Sequence, residues 1–200
     1  MKPQLNLLEE AKILVVGDII LDRYWMGESK RISPEAPVPV VHGKKVLNRL
    51  GGAGNVAANV ASLGCSVSLL GYVGQDEEGD LVRKLLKECQ IESGLISRED
   101  LNTTVKIRVI SQGQQLVRVD FEDSPNKFKS DHLTKVFQEI VDDYHLVIFS
   151  DYLKGALHDV SHLIALANER HKRVITDPKG SDFSRYRGAY LITPNMKEFE

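Results

Sequence analysis

Five short apolar runs set what this chain can fold into. Residues 12–17, 66–71, 145–149, 173–176 and 190–193 are rich in Val, Ile and Leu, and each ends on or beside a glycine or small polar residue. Runs this short, without polar alternation, read as strands buried on both faces, the pattern of a parallel sheet. Between them the spacing predicts helices at about 53–63, 76–89, 130–142, 158–170 and from 195 onward. Alternation of this kind predicts an α/β fold with a doubly wound, mostly parallel sheet. In such sheets ligands sit beyond the carboxyl ends of the strands. Asp18, Asp22, Asp76, Asp151, Asp177 and Asn195 follow the strands and are the polar residues to examine there.

One segment breaks the alternation. Residues 104–110 and 116–122 flank the turn Ser111-Gln112-Gly113-Gln114 and show period-2 patterning, which predicts a β-hairpin. Val105, Ile107 and Val109 share one face and Lys106 and Arg108 the other; on the second strand Val117, Val119 and Phe121 oppose Arg118, Asp120 and Glu122. Residues 38–41 add a short extended piece. These segments, at about 27–50 and 103–122, predict a small antiparallel flap inserted in the α/β body. Its polar face either covers a ligand or is simply solvated.

Gly51-Gly52-Ala53-Gly54-Asn55-Val56-Ala57 opens a helix of small residues, with Val56, Val60 and Leu63 at core-facing spacing and Gly64 as its stop. Two glycines let the backbone approach a ligand without Cβ interference. The first helical turn offers unpaired N–H groups, and Asn55 adds a side-chain donor and acceptor. Tight helix packing explains the same residues. Later, Ser150-Asp151-Tyr152-Leu153-Lys154 and Asp177-Pro178-Lys179 each set a carboxylate near a lysine, suited to a phosphate, a hydrated Mg²⁺ or a helix cap. Asn195 and Glu198 have capping-box spacing and could also reach Mg²⁺ through water.

Composition narrows the classes. The chain has 200 residues, a formal net charge of −2 and 27% charged residues. That fits one domain, or one and a fragment, and shows no basic stripe for nucleic acid. No apolar run is long enough to span a membrane, and residues 1–6 lack an apolar signal segment, so a cytoplasmic protein is expected. Cys65 and Cys89, far apart, read as buried thiols rather than zinc ligands. Neither a P-loop nor a G-x-G-x-x-G dinucleotide turn nor a G-x-S-x-G elbow occurs.

Gly17-Asp18 with Asp22, the Gly51-Gly52-x-x-Asn55-Val56-Ala57 turn, the inserted flap and Asn195-x-x-Glu198 together resemble the ribokinase (PfkB-type) carbohydrate kinases, over essentially residues 12–200. Asp22-Arg23-Tyr24-Trp25, the string from Ser33 to Val40, Gln114-Gln115-Leu116-Val117-Arg118, Ser150-Asp151-Tyr152 and Asp177-Pro178-Lys179-Gly180 are similar to the heptose-phosphate kinase branch, often fused to an adenylyltransferase. The resemblance implies ATP-dependent phosphorylation of D-glycero-D-manno-heptose 7-phosphate at O1, in lipopolysaccharide core synthesis. Asp22, Gly51, Gly52 and Asn55 would hold sugar hydroxyls. Lys106, Arg108 and Arg118 are assigned to the 7-phosphate on charge. Asn195, Met196, Lys197 and Glu198, with Lys179 and Asp177, would hold ATP, and Glu198 would reach Mg²⁺ through water. The family's Gly-Ala-Gly-Asp motif, with the catalytic aspartate, is expected beyond Glu200. The chain is therefore expected to be the amino-terminal part of one kinase domain, lacking the C-terminal part of the fold and inactive alone. Self-association through the cut sheet edge is expected, and the resemblance implies a homodimer formed through the flap. A non-catalytic sugar-phosphate-binding protein and a kinase of the same family for another sugar are the alternatives.

Overall fold

The computed structural model describes residues 6–128 and 131–199. In chain order the elements are α1 (Asn6–Glu9), β1 (Lys12–Gly17), β2 (Ile19–Ile32), β3 (Pro39–Gly52), α2 (Ala53–Ser62), β4 (Ser66–Gly74), α3 (Glu77–Glu88) and β5 (Glu92–Arg98). There follow β6 (Thr104–Ser111), β7 (Gln114–Phe121), α4 (His132–Ile140), β8 (Leu146–Ser150), α5 (Val160–Glu169), β9 (Arg173–Asp177), β10 (Leu191–Ile192) and α6 (Met196–Phe199). The expected helix start at 130, and residue 200, lie outside the described residues.

The five apolar runs form the main sheet, in the order β10-β9-β8-β1-β4-β5, every neighbouring pair parallel. β1 is central, and its side chains alternate between two cores. Leu14 and Val16 join Phe137, Phe149, Leu163 and Ile164 on the α4–α5 side. Ile13 and Val15 join Leu69, Ala57, Val82 and Leu86 on the α2–α3 side. Each Val, Leu, Ile or Phe among them stabilises the fold by about 1.5–3 kcal/mol when fully buried. The sixth strand, β5, was not expected from sequence. Of its residues only Ile96 is buried, so this edge strand carries no apolar run to betray it.

Helix α2 meets the sheet through small residues: Ala53, Gly54 and Ala57 are buried, Val56 and Val60 are partly so, and Leu63 is exposed. The expected core face, Val56, Val60 and Leu63, is thus displaced. The helix lies so close to β1 that a Cβ on Gly17 would stand 3.1 Å from that of Ala53, leaving room for alanine and not leucine. Gly64 ends the helix with φ +94°, as its type predicts. Cys65 is buried, whereas Cys89, at the end of α3 and facing away from the core, is exposed, contrary to expectation.

The second sheet has the order β3-β2-β6-β7. Its outer pairs are antiparallel and its central pair, β2 with β6, is parallel. The short piece expected at 38–41 is the start of a 14-residue strand, β3, pairing with an equally long β2. Register shifts after Met26 and after Ser29 interrupt the alternation that would have revealed β2. Val105 and Ile107 dock the sheet on the α2–α3 core, while Val117, Val119 and Phe121 remain exposed. Among the described residues no helix is long and apolar enough to cross a membrane.

Candidate active site

Where β1 ends, Asp18 leads directly into β2. Its carboxylate is buried and accepts three backbone N–H groups: Tyr152 at 2.8 Å and Lys154 at 3.1 Å on Oδ2, Ala156 at 3.0 Å on Oδ1. Its carbonyl accepts the N–H of Ala53 at 2.9 Å, tying β1, α2 and the segment after β8 together. Burial pushes its pKa up, and the N–H groups pull it back. Sequence reading placed Asp18 among the polar residues to examine at the strand ends; its carboxylate is engaged by three backbone N–H groups. Asp151 is equally committed, accepting Leu153 N–H at 2.7 Å and the Tyr186 hydroxyl at 2.9 Å. Lys154 turns away from it to pair with Glu122 of the flap at 2.6 Å. Asp76 caps α3 through Gly79 N–H and holds Thr103.

Asp22 is different. Its side chain lies over Gly51, where a Cβ would come within 2.5 Å of Oδ2. Gly52 has φ +54°, and a Cβ there would meet the carbonyl of Asp18 at 2.3 Å. Gly52 is therefore required by space and by dihedral, and Gly51 by the placement of the Asp22 carboxylate. Asn55 follows on the exposed outer side of the first turn of α2.

The sheet register then sets a polar face. Asp22 stands opposite Arg49 on β3 and Lys106 on β6, and Lys106 opposite Asp120 on β7. One step along, Tyr24 stands opposite Leu47 and Arg108, and Arg108 opposite Arg118. The predicted cations are brought together, and each engages a carboxylate. Arg108 Nη1 donates to Asp22 Oδ1 at 2.5 Å, Lys106 donates to Asp120 at 2.7 Å, and Arg118 Nε lies 2.9 Å from Asp120. Despite partial burial, Lys106 and Arg118 hold the Asp120 carboxyl below its ordinary range.

A second cluster forms beyond β9 and β10. Asn195 Oδ1 accepts the N–H groups of Lys197 at 3.0 Å and Glu198 at 3.1 Å, while Glu198 Oε2 accepts the N–H of Asn195 at 3.0 Å. This is the reciprocal capping box the spacing predicts. Glu198 Oε1 takes Lys179 Nζ at 2.7 Å. Lys179 accordingly holds Glu198 low, and Glu198 raises Lys179. Asp177 is pushed up, by burial first and then by Glu198. Met196 and Lys197 are exposed.

Tyr152 follows β8, its backbone N–H held by Asp18, and sequence reading gave it no role. Burial raises its phenol, and the charges of Asp177, Asp22 and Glu198 add to that while Lys179 opposes it. It thus feels the flap carboxylate and the β9–β10 cluster at once. Tyr24 and Arg49 were missed as well; the guanidinium carbons of Arg49 and Arg108 lie 5.7 Å and 5.4 Å from the Tyr24 ring centre. Only the strand pairing brings Arg49 to Asp22. Among the described residues no group of three His, Cys, Asp or Glu side chains is arranged to hold a metal ion.

Comparison with known proteins adds to this geometry. A family model described as pfkB family carbohydrate kinase matches residues 10–200. The bifunctional protein HldE of Shewanella amazonensis is 50% identical over 200 residues, all of this chain and 42% of that protein. That of Haemophilus influenzae strain PittEE is 48% identical over 192 residues, 96% of this chain and 40% of its own length. The chain thus spans about two-fifths of the curated relatives it matches. Among solved structures, Arabidopsis thaliana ribokinase complexed with ribose and ATP superposes with a TM-score of 0.66 at 18% identity, covering 94% of this chain and 61% of that one. Phosphofructokinase-2 from Escherichia coli gives 0.69 at 21%, with 94% and 62% covered.

Proposed function

Because the chain belongs to the pfkB family of carbohydrate kinases, we propose that it supplies the acceptor side of an ATP-dependent kinase phosphorylating D-glycero-D-manno-heptose 7-phosphate at O1. The observation that carries the reading is the Asp22 carboxylate seated over Gly51 and held by Arg108. A carboxylate fixed beside bare backbone can accept hydrogen bonds from adjacent sugar hydroxyls. The choice of heptose rests on the motif strings quoted above and on the similarity to HldE proteins.

In this reading Asp22, Gly51, Gly52 and Asn55 hold the sugar, and Lys106, Arg108 and Arg118 face its phosphate. Asn195, Met196, Lys197 and Glu198, with Lys179 and Asp177, face the nucleotide phosphates. The donor set suits a hydrated Mg²⁺: Glu198 is kept ionised by Lys179, and Mg²⁺ usually keeps several waters and takes few protein carboxylates. When bound, the ion would neutralise charge on the transferring phosphoryl group. The chain's own contribution is positioning and charge compensation, which dominate phosphoryl transfer. A second copy is the proposed partner, covering the apolar flap face that exposes Trp25, Val117 and Val119.

The test is ADP release by the protein as its gene encodes it, with heptose 7-phosphate, fructose 6-phosphate and ribose offered in turn. Turnover on heptose 7-phosphate, lost in Asp22→Ala, is expected. Turnover on a different sugar alone would overturn the substrate assignment and leave the family standing. Sugar-phosphate binding without ATP turnover would favour a non-catalytic binding protein.

A further inference from the structure

We infer that Tyr186 is a positioning residue for the nucleotide side of the site: its hydroxyl fixes the backbone of Lys179, and with it the ammonium that faces the ATP phosphates. The inference rests on the division of the site proposed above and adds to it a buried residue outside either cluster.

Three observations carry it. First, Tyr186 is buried at the end of a single 3₁₀ turn, Phe183–Tyr186, and its hydroxyl accepts the Lys179 N–H at 3.1 Å. The Lys179 carbonyl lies 3.3 Å from the same oxygen, so both backbone polar groups of Lys179 converge on one phenol. Among the described residues the Lys179 N–H has no other acceptor, and Pro178 before it has no N–H to give. Second, the hydroxyl is itself anchored, donating to Asp151 Oδ2 at 2.9 Å. Asp151 is buried; its N–H donates to the Asp177 carbonyl at 3.0 Å and its Oδ1 accepts the Leu153 N–H at 2.7 Å. The carboxylate is thereby tied to the ends of both β8 and β9, and Arg185 Nη2 stands 3.4 Å from it. Third, Lys179 itself is exposed, and Gly180 after it has φ +84°, a dihedral open chiefly to glycine. The lysine is held at two ends: the phenol takes its backbone, and Glu198 Oε1 takes its Nζ at 2.7 Å.

An ammonium on a four-carbon stem is a flexible point charge. Holding it at its root and at its tip leaves less order to be created when a phosphate arrives. Phosphoryl transfer depends on such placement, and a displacement of about 1 Å can cost about 100-fold in rate. The hydroxyl is the part of Tyr186 that matters for this. A phenylalanine ring would fill the same space but leave the Lys179 N–H without its acceptor and Asp151 without its donor.

The experiment is calorimetric titration of the protein as its gene encodes it, with ATP in the presence of Mg²⁺ and separately with heptose 7-phosphate. Tyr186→Phe is expected to weaken ATP binding about three- to tenfold and to leave sugar-phosphate binding within about twofold. In a Lys179→Met background the same substitution should change ATP affinity by less than about twofold, because the residue it positions is gone. Tyr72→Phe is the control. It removes another buried phenol that accepts a backbone N–H, that of Leu133 at 3.0 Å, and should leave ATP affinity unchanged. Asp182→Ala is the second variant: it removes the exposed cap that accepts the Ser184 N–H at 3.0 Å and loosens the turn carrying Tyr186. The same selective loss, in smaller measure, is expected from it. An equal loss for both ligands, or an ATP loss undiminished by Lys179→Met, marks general loosening and overturns the inference. Wild-type ATP affinity in Tyr186→Phe and Asp182→Ala, with Lys179→Met impaired, also overturns it and leaves the nucleotide-side reading standing. Unaltered ATP affinity in Lys179→Met overturns that reading and the inference with it.

Discussion

The carboxylate of Asp22 and the missing side chain of Gly51 contend for one space: a Cβ on Gly51 would stand 2.5 Å from Asp22 Oδ2 and 3.3 Å from the Cβ of Ile20. Gly51→Ala is therefore expected to displace Asp22 and cost about 1–3 kcal/mol of stability. Sugar KM should rise about tenfold or more. Gly43→Ala is the matched control, because nothing lies within 4 Å of a Cβ there. Denaturant unfolding and sugar titration of both variants check the pair.

Lys179 and Glu198 form the contact on which the β9–β10 cluster turns. In Lys179→Met the Glu198 carboxyl should titrate closer to its ordinary value, since that lysine is the main cause of its depression. The expected kinetic result is a rise in ATP KM of about tenfold with sugar KM unchanged. Equal rises in both would mean that the two clusters do not divide the substrates as proposed.

Tyr152→Phe removes only the hydroxyl that the charges of both clusters act on. A fall in kcat/KM of about tenfold is expected, with thermal stability preserved. Unchanged kinetics would leave Tyr152 as part of the wall.

Alkaline pH probes the scaffold beneath. The Tyr186 phenol donates to Asp151 at 2.9 Å and its pKa is raised from 10.0 to about 12, chiefly by burial. A raised folded-state pKa means that its contribution to stability is complete below pH 10 and is lost as the pH climbs toward 12. Stability against unfolding, measured across that window, should fall more steeply in the wild-type protein than in Tyr186→Phe.

How much of this was legible follows from where the signals lie along the chain. The runs that became β1, β4 and β8 carry apolar residues on both faces, so composition alone exposes them. The cap made by Asn195 and Glu198 is local and reads directly from a spacing of three. β2 and β5 escaped because partial exposure and register shifts break any simple period. The tie made by Asp18 could not be read locally, because its partners stand 134 to 138 residues away. Tyr24 stood in a motif string without a role and Arg49 in none; their meaning comes from the pairing of β3, β2 and β6.

The knot at Asp18 has a mechanical consequence. The residue just before β2 binds the backbone of 152–156 and the start of α2, and Gly52, where β3 ends, is pressed against its carbonyl. The flap hairpin is thus clamped at both roots and behaves as a lever with a fixed fulcrum. At about 3.4 Å per residue, Asp22 lies about 14 Å out along that lever and Gly27 about 31 Å out. Any tilt of the sheet sweeps Gly27 through more than twice the arc traversed by Asp22. Fidelity at the acceptor carboxylate is thereby compatible with a distal tip free to travel.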